Sequence, residues 1–110
     1  METEIWGIPS CDSCRKARKV LPDAVFRDVR QQPLDGGERA ALLEAFGDKA
    51  INRASTTWRG LDAETRSLPA AELLERHPTL MKRPVIRQGG ALHLGFTPAV
   101  RAALGIAPDP

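Results

Sequence analysis

The period of the hydrophobic positions changes several times along the chain, and each change marks an element. Glu4-Ile5-Trp6-Gly7-Ile8 is a short, mostly apolar run stopped by Pro9, the pattern of a central strand buried on both faces of a sheet. Cys14, Ala17, Val20 and Leu21 then recur at helical spacing, with Arg15, Lys16, Arg18 and Lys19 on the other faces, until Pro22 stops the pattern. The segment Ala24-Val25-Phe26-Arg27-Asp28-Val29 reads as a second strand, half polar and so nearer a sheet edge. Strand, helix, strand implies a right-handed parallel crossover.

From Leu34 to Ile51 the stripe Leu42, Leu43, Phe46, Ala50 and Ile51 predicts a helix, with Asp35-Gly36-Gly37 as a turn before it. Residues 52–66 are less regular. Ala70-Ala71-Glu72-Leu73-Leu74 starts another helix whose stripe extends towards Leu80 and Met81, interrupted at Pro78. Near the end, Pro84-Val85-Ile86-Arg87 and Ala91-Leu92-His93-Leu94 flank Gln88-Gly89-Gly90, which predicts an antiparallel hairpin. Thr97 as N-cap, Pro98 at the first helical position, a stripe of Val100, Ala103 and Leu104, and Gly105 as C-cap complete a last helix.

Composition narrows the class. The chain has 110 residues, 42% of them hydrophobic, which suits one packed domain with a helical insertion at about 34–82. Sixteen Lys and Arg against 14 Asp and Glu leave a net charge of +2, too slight an electrostatic footprint for direct nucleic-acid or membrane binding. The acidic start does not read as a secretory signal, and charges break every apolar run well short of the roughly 18 residues of a membrane span. A cytoplasmic location is therefore expected.

Only two cysteines are present, in Cys11-Asp12-Ser13-Cys14, and one close pair builds no disulfide scaffold. In a reducing compartment such a pair signals redox chemistry or metal binding. Metal is disfavoured, because a structural zinc site takes four ligands and only His77 and His93 remain, both distant in sequence. The element order is that of a thioredoxin-like α/β fold: strand, helix, strand, helical insertion, hairpin and helix around a mixed four-stranded sheet. Cys11 then stands directly after the first strand, at the start of the first helix. Unpaired N–H groups and the macrodipole there favour a thiolate, Arg15 and Lys16 add cationic charge, and Asp12 works the other way. Cys14, one turn deeper, is placed to attack an adduct on Cys11 and release it as an internal disulfide.

Several other residues need weighing. Arg53, Arg59 and Arg83 each present a planar fork of donors suited to an oxyanion, though a solvated surface role is the default for Arg59. His77 reads as a capping or packing residue and His93 as a solvent-facing strand residue. Trp6 and Trp58 read as core.

Four blocks in order carry a resemblance that spans nearly the whole chain. They are Ile8-Pro9-Ser10-Cys11-Asp12-Ser13-Cys14-Arg15-Lys16-Ala17; Asn52-Arg53-Ala54-Ser55-Thr56-Thr57-Trp58-Arg59-Gly60-Leu61; His77-Pro78 with Lys82-Arg83-Pro84-Val85-Ile86; and Leu94-Gly95-Phe96. The sequence resembles the arsenate reductase (ArsC) family in its small thioredoxin-fold branch, which includes glutathione-linked arsenate reductases, Spx/MgsR-like regulators and uncharacterised reductase-like relatives. The resemblance implies Cys11 as nucleophile, Arg53 and Arg83 as oxyanion-binding arginines, and Pro84 as a cis-proline; Cys14 as resolving thiol, and Ser10 and Arg15 as support for the helix start, are expected from their places around Cys11.

Two departures matter. The family's third substrate arginine falls where this chain has Gly95, and losing one charge-assisted donor at a buried anion costs about 1.5 to 3 kcal/mol, which weakens arsenate as substrate. The second cysteine is typical of the Spx branch rather than of glutathione-linked reductases.

Two functions follow from the resemblance. The first is a thiol-dependent reductase acting on a small-molecule thiol or oxyanion, with no bound cofactor, fed by glutathione or by a thioredoxin or glutaredoxin system acting as redox partner protein. The second is a Spx-like sensor that contacts RNA polymerase. The Thr-Thr-Trp-Arg block favours the reductase.

Overall fold

The structure is a computed structural model that describes residues 2–107. It divides into two compact units: one runs up to Asp28 and resumes at Arg83, and the other spans Val29–Lys82.

The first unit is a mixed sheet with two helices. Strand β1 (Thr3–Gly7) lies beside β2 (Val25–Asp28) in parallel, with Ile5 opposite Phe26, and beside β3 (Val85–Gln88) in antiparallel, with Ile5 opposite Ile86. Strand β4 (Ala91–Leu94) pairs with β3, giving the order β2-β1-β3-β4. This is the thioredoxin-like arrangement that the pattern predicts. The apolar run of β1 is central because both its neighbours bury it: Ile5, Trp6 and Gly7 are inaccessible, whereas half-polar β2 forms an edge and leaves Val25 51% exposed.

Helix α1 (Asp12–Val20) buries Cys14 and Ala17. Ile5, Ala17 and Ile86 form the centre of this unit's core, flanked by Leu21, Phe26, Phe96, Val100 and Leu104. The expected α1 stripe is thus shorter than its spacing suggests. Val20 is 37% exposed, and Leu21 packs instead from the C-cap, where its N–H reaches the Ala17 carbonyl. The hairpin turns at Gly89-Gly90, and only Gly89 takes a positive φ, +59°. That is the first of the two central positions, where a two-residue hairpin can require it.

The last helix is α6 (Pro98–Ala103), named in chain order after the four helices of the second unit given below. The Thr97 hydroxyl caps it by accepting from the Val100 N–H. At its other end the Ile106 N–H reaches the Arg101 carbonyl and the Gly105 N–H reaches that of Ala102, with Gly105 at φ +74°. This is a Schellman end, so the C-cap residue is Leu104 and Gly105 follows it. Ala103, expected in the buried stripe, is exposed, and the helix packs on the core through Val100 and, from its C-cap, Leu104.

The second unit is helical: α2 (Gly36–Phe46), α3 (Thr56–Arg59), α4 (Ala63–Arg66) and α5 (Ala70–Arg76), with 3-10 turns at Gly47–Ala50 and Pro78–Leu80. Its buried residues include Leu34, Leu42, Ala50, Ile51, Leu73, Leu74, Leu80 and Met81, and α2 packs on α5. Asp35-Gly36-Gly37 is not a separate turn. Asp35 is the N-cap of α2, its carboxylate accepting from the Glu38 N–H at 2.8 Å while the Glu38 carboxylate accepts from the Asp35 N–H at 2.9 Å. This reciprocal capping box draws both glycines into the helix. The irregular stretch after Asn52 holds two short helices, capped by Ser55 and Asp62 through the N–H groups of Trp58 and Thr65.

Candidate functional site

The end of β1 delivers the chain into a tight loop. Beyond Ile8 and Pro9 the Cys11 N–H returns to the Ile8 carbonyl at 3.3 Å, and Cys11 takes the extended N-cap conformation of α1 (φ −82°, ψ 126°). As a neutral thiol it makes no cap hydrogen bond of its own. A thiolate there gains more, because sulfur as an anion is a far better acceptor than S–H. Burial acts to raise the Cys11 pKa, but it is outweighed by the Cys14 N–H, the Cys14 thiol, the Arg83 guanidinium and the Ser13 N–H, all donating to sulfur. The result is a pKa below the ordinary thiol value of 9.0. The cation that acts on Cys11 is therefore Arg83. Arg15, expected to supply charge, instead donates to the Ser10 carbonyl at 3.1 Å and pairs with Asp12 at 3.6 Å. Ser10 thus takes part at the helix start through its backbone.

Cys14 behaves oppositely. Its side chain is buried on α1, and burial, together with donation to Cys11 and the negative charge there, pushes its pKa up to about 12 against the opposing pull of the Ile8 N–H and Arg83. Both cysteines are reduced, with Cys11 half-buried. At the end of β1, a Cβ built on Gly7 would lie 2.3 Å from the Cys14 sulfur.

Arg83 is brought beside Cys11 by the start of β3. The Arg83–Pro84 peptide bond is cis, Pro84 is fully buried, and its carbonyl accepts from the Gly95 N–H at 2.7 Å. Gly95 itself sits at φ +80°, a backbone conformation in which a side chain is strained.

Arg53 belongs to the helical unit. Its exposed side chain lies 3.8 Å from an Asp48 carboxylate oxygen and 5.2 Å from the centre of the Trp58 ring, whose other companion is Arg66 at 5.6 Å. Trp58 is half-buried, with two guanidinium groups near its ring, rather than in the core, because the four-residue α3 has no fully buried face. Arg59 is exposed. His77 closes α5 by donating its N–H to the Leu73 carbonyl, and His93 pairs with Ile86 and is half-buried rather than fully solvent-facing. Trp6 lies in the core. Among the described residues no group of three or more His, Cys, Asp or Glu could hold a metal ion, and no helix is long and apolar enough to cross a membrane.

The Ser13 and Cys14 N–H groups that reach Cys11 are the unpaired helix-start donors that its position implies. The roles of Gly7 and Ile8 are not foreseen in the sequence reading, and Ile8 acts through a backbone N–H that no side-chain motif announces. Gly7 had a signal: a glycine inside an otherwise apolar strand marks close approach of another group.

The family model for ArsC matches residues 6–104. The chain belongs to the ArsC family. An uncharacterised protein of Haemophilus influenzae is 37% identical over 101 residues, covering 84% of this chain and 89% of its own. The global transcriptional regulator Spx of Listeria innocua is 34% identical over 102 residues, covering 84% and 78%. The solved structure of the YffB protein superposes with a TM-score of 0.83 at 33% identity, covering 92% of this chain and 96% of its own. ArsC membership supports a thiol-dependent, reductase-like function.

Proposed function

We propose that this ArsC-family chain is a cytoplasmic thiol-dependent reductase in which Cys11 is the nucleophile and Cys14 the resolving thiol. The observation that carries the reading is the opposed tuning of the two sulfurs, one stabilised as thiolate and the other held protonated one turn away. The Cys11 thiolate attacks one sulfur of a disulfide or glutathione-linked substrate, forming a Cys11–S bond and expelling the other half as thiolate. With that bond made, Cys11 is no longer an anion, and its two contributions to the high Cys14 pKa, charge and acceptor, disappear. The Cys14 proton passes to the departing thiolate, and the Cys14 sulfur then attacks Cys11 and releases the second half. The substrate gains two electrons and the protein holds an internal disulfide. Glutathione, or a thioredoxin or glutaredoxin system, returns it to the dithiol. Arg83 stands beside the reacting sulfur to hold an anionic group on the substrate, and Arg53 is its companion on the family motif.

The test is a coupled assay with glutathionylated peptide or a small disulfide, driven in turn by glutathione and by thioredoxin. Turnover is expected to vanish in Cys11→Ser, while Cys14→Ser accumulates a mixed disulfide on Cys11. Absence of Cys11-dependent turnover with both reductants overturns the reading. Similarity to Spx and the two-cysteine loop favour a second reading, a redox sensor that contacts RNA polymerase. Co-purification of polymerase with only one redox form supports it, and absence from both forms removes it.

A further inference from the structure

Gly7 occupies the last position of β1, in the middle of the sheet, opposite Asp28 of β2. Two ordinary reasons for a glycine are missing here. Its φ is not among the positive values of the chain, so the backbone conformation is open to any residue, and it is in a strand rather than a turn. Strand interiors disfavour glycine on entropic grounds, so alanine would be the better residue if space allowed it. Space does not allow it. A Cβ at this position falls 2.3 Å from the Cys14 Sγ, 3.4 Å from the Cys14 Cβ and 3.8 Å from the Phe26 ring. The first distance is far inside van der Waals contact, and the atom it meets is the buried sulfur on the inward face of α1.

We infer that Gly7 is a positioning residue for the thiol pair: its missing side chain is the notch that seats the Cys14 sulfur against Cys11. The notch has two further walls. The Ile8 N–H is directed at the Cys14 sulfur, and the Cys14 thiol in turn donates to Cys11. A methyl group at position 7 drives the sulfur out of this seat, because Cys14 is fully buried and its own backbone is fixed in α1. Cys11 then loses one of the donors that hold it as thiolate. The inference rests on the reading of Cys14 as partner thiol to Cys11, but it concerns how the two sulfurs are held and requires no substrate.

The experiment is a cycle of Gly7→Ala, Cys14→Ala and the double variant, with the iodoacetamide alkylation rate of Cys11 measured across pH and thermal unfolding followed in parallel. Gly7→Ala is expected to slow alkylation at neutral pH about tenfold, the size of one lost hydrogen bond to a charged group, and to move the pH midpoint upward. In the Cys14→Ala background, where no sulfur is left to displace, Gly7→Ala is expected to change neither the rate nor the midpoint. Should Gly7→Ala fail to fold, recovery of folding in the double variant supports the same contact. Equal effects of Gly7→Ala in both backgrounds, no effect in either, or loss of folding in both overturns the inference. Every readout is taken without turnover, so an inactive protein that shows the expected cycle counts against the reductase reading alone.

Discussion

The sheet unit and the helical unit fix their arginines in opposite ways. In the sheet unit Arg83 is anchored by a buried proline whose carbonyl is itself hydrogen-bonded, and its guanidinium is directed at a half-buried sulfur. In the helical unit Arg53 is an exposed side chain held by a surface carboxylate and an aromatic face. The same residue type therefore has different consequences. Where backbone and burial dictate its position, a guanidinium changes the chemistry of its neighbour. Where only surface contacts hold it, it keeps the freedom to meet a ligand and adds little to stability.

Three substitutions sharpen or break this contrast. The largest effect is expected from the helical unit's core rather than from its arginine: Leu42→Ala, at a fully buried position of α2, should cost about 2–5 kcal/mol in denaturant unfolding. A loss below about 1 kcal/mol would show that this unit is not held by the packing described. Next comes Arg83→Gln. Cys11 titrates below the usual thiol range, so its thiolate persists towards lower pH than in a free thiol, and removing a donor must move that profile back up. Alkylation of Cys11 at neutral pH should slow about tenfold, and an unchanged profile would mean that the backbone N–H groups and the Cys14 thiol activate the sulfur without it. The smallest effect is expected for Arg53→Ala, which should alter stability by less than about 1 kcal/mol because its ion pair is exposed. Its effect should fall on KM for an anionic substrate, with kcat little changed. A stability loss as large as that of Leu42→Ala would mean that the stack on Trp58 is structural.

The same contrast explains what could be read from the sequence. The hairpin, the Thr97-Pro98 helix start and the placement of Cys11 at the head of α1 were legible because each is written in consecutive residues with fixed backbone preferences. The short α3 and α4 were not, since four residues cannot display a helical period, and their signals are single capping side chains, Ser55 and Asp62. Asp35-Gly36-Gly37-Glu38 was open to a capping-box reading, but the two glycines suggested a turn more strongly. At the site, the two cysteines and Arg83 could be named from their motifs, and the N–H groups that act on Cys11 follow from its place at the helix start. The cation could not, because Arg15 and Lys16 are near Cys11 in sequence whereas the guanidinium that reaches it comes from the residue before the cis-proline that leads into β3. Proximity along a chain and proximity to a sulfur are different quantities.

The pairing of β1 with β3 joins segments far apart in the chain, and it has a consequence for when the protein becomes reactive. Cys11 is made before Arg83, and the whole helical unit is made in between. Until β3 pairs with β1, Cys11 lacks the Arg83 guanidinium, one of the donors that hold its pKa down, and stands nearer an ordinary thiol. A nascent or unfolded chain thus carries a sulfur less prone to oxidation and stray coupling than the folded protein does. Reactivity at Cys11 becomes a certificate of completed folding, issued only when the last strands have been added to the sheet.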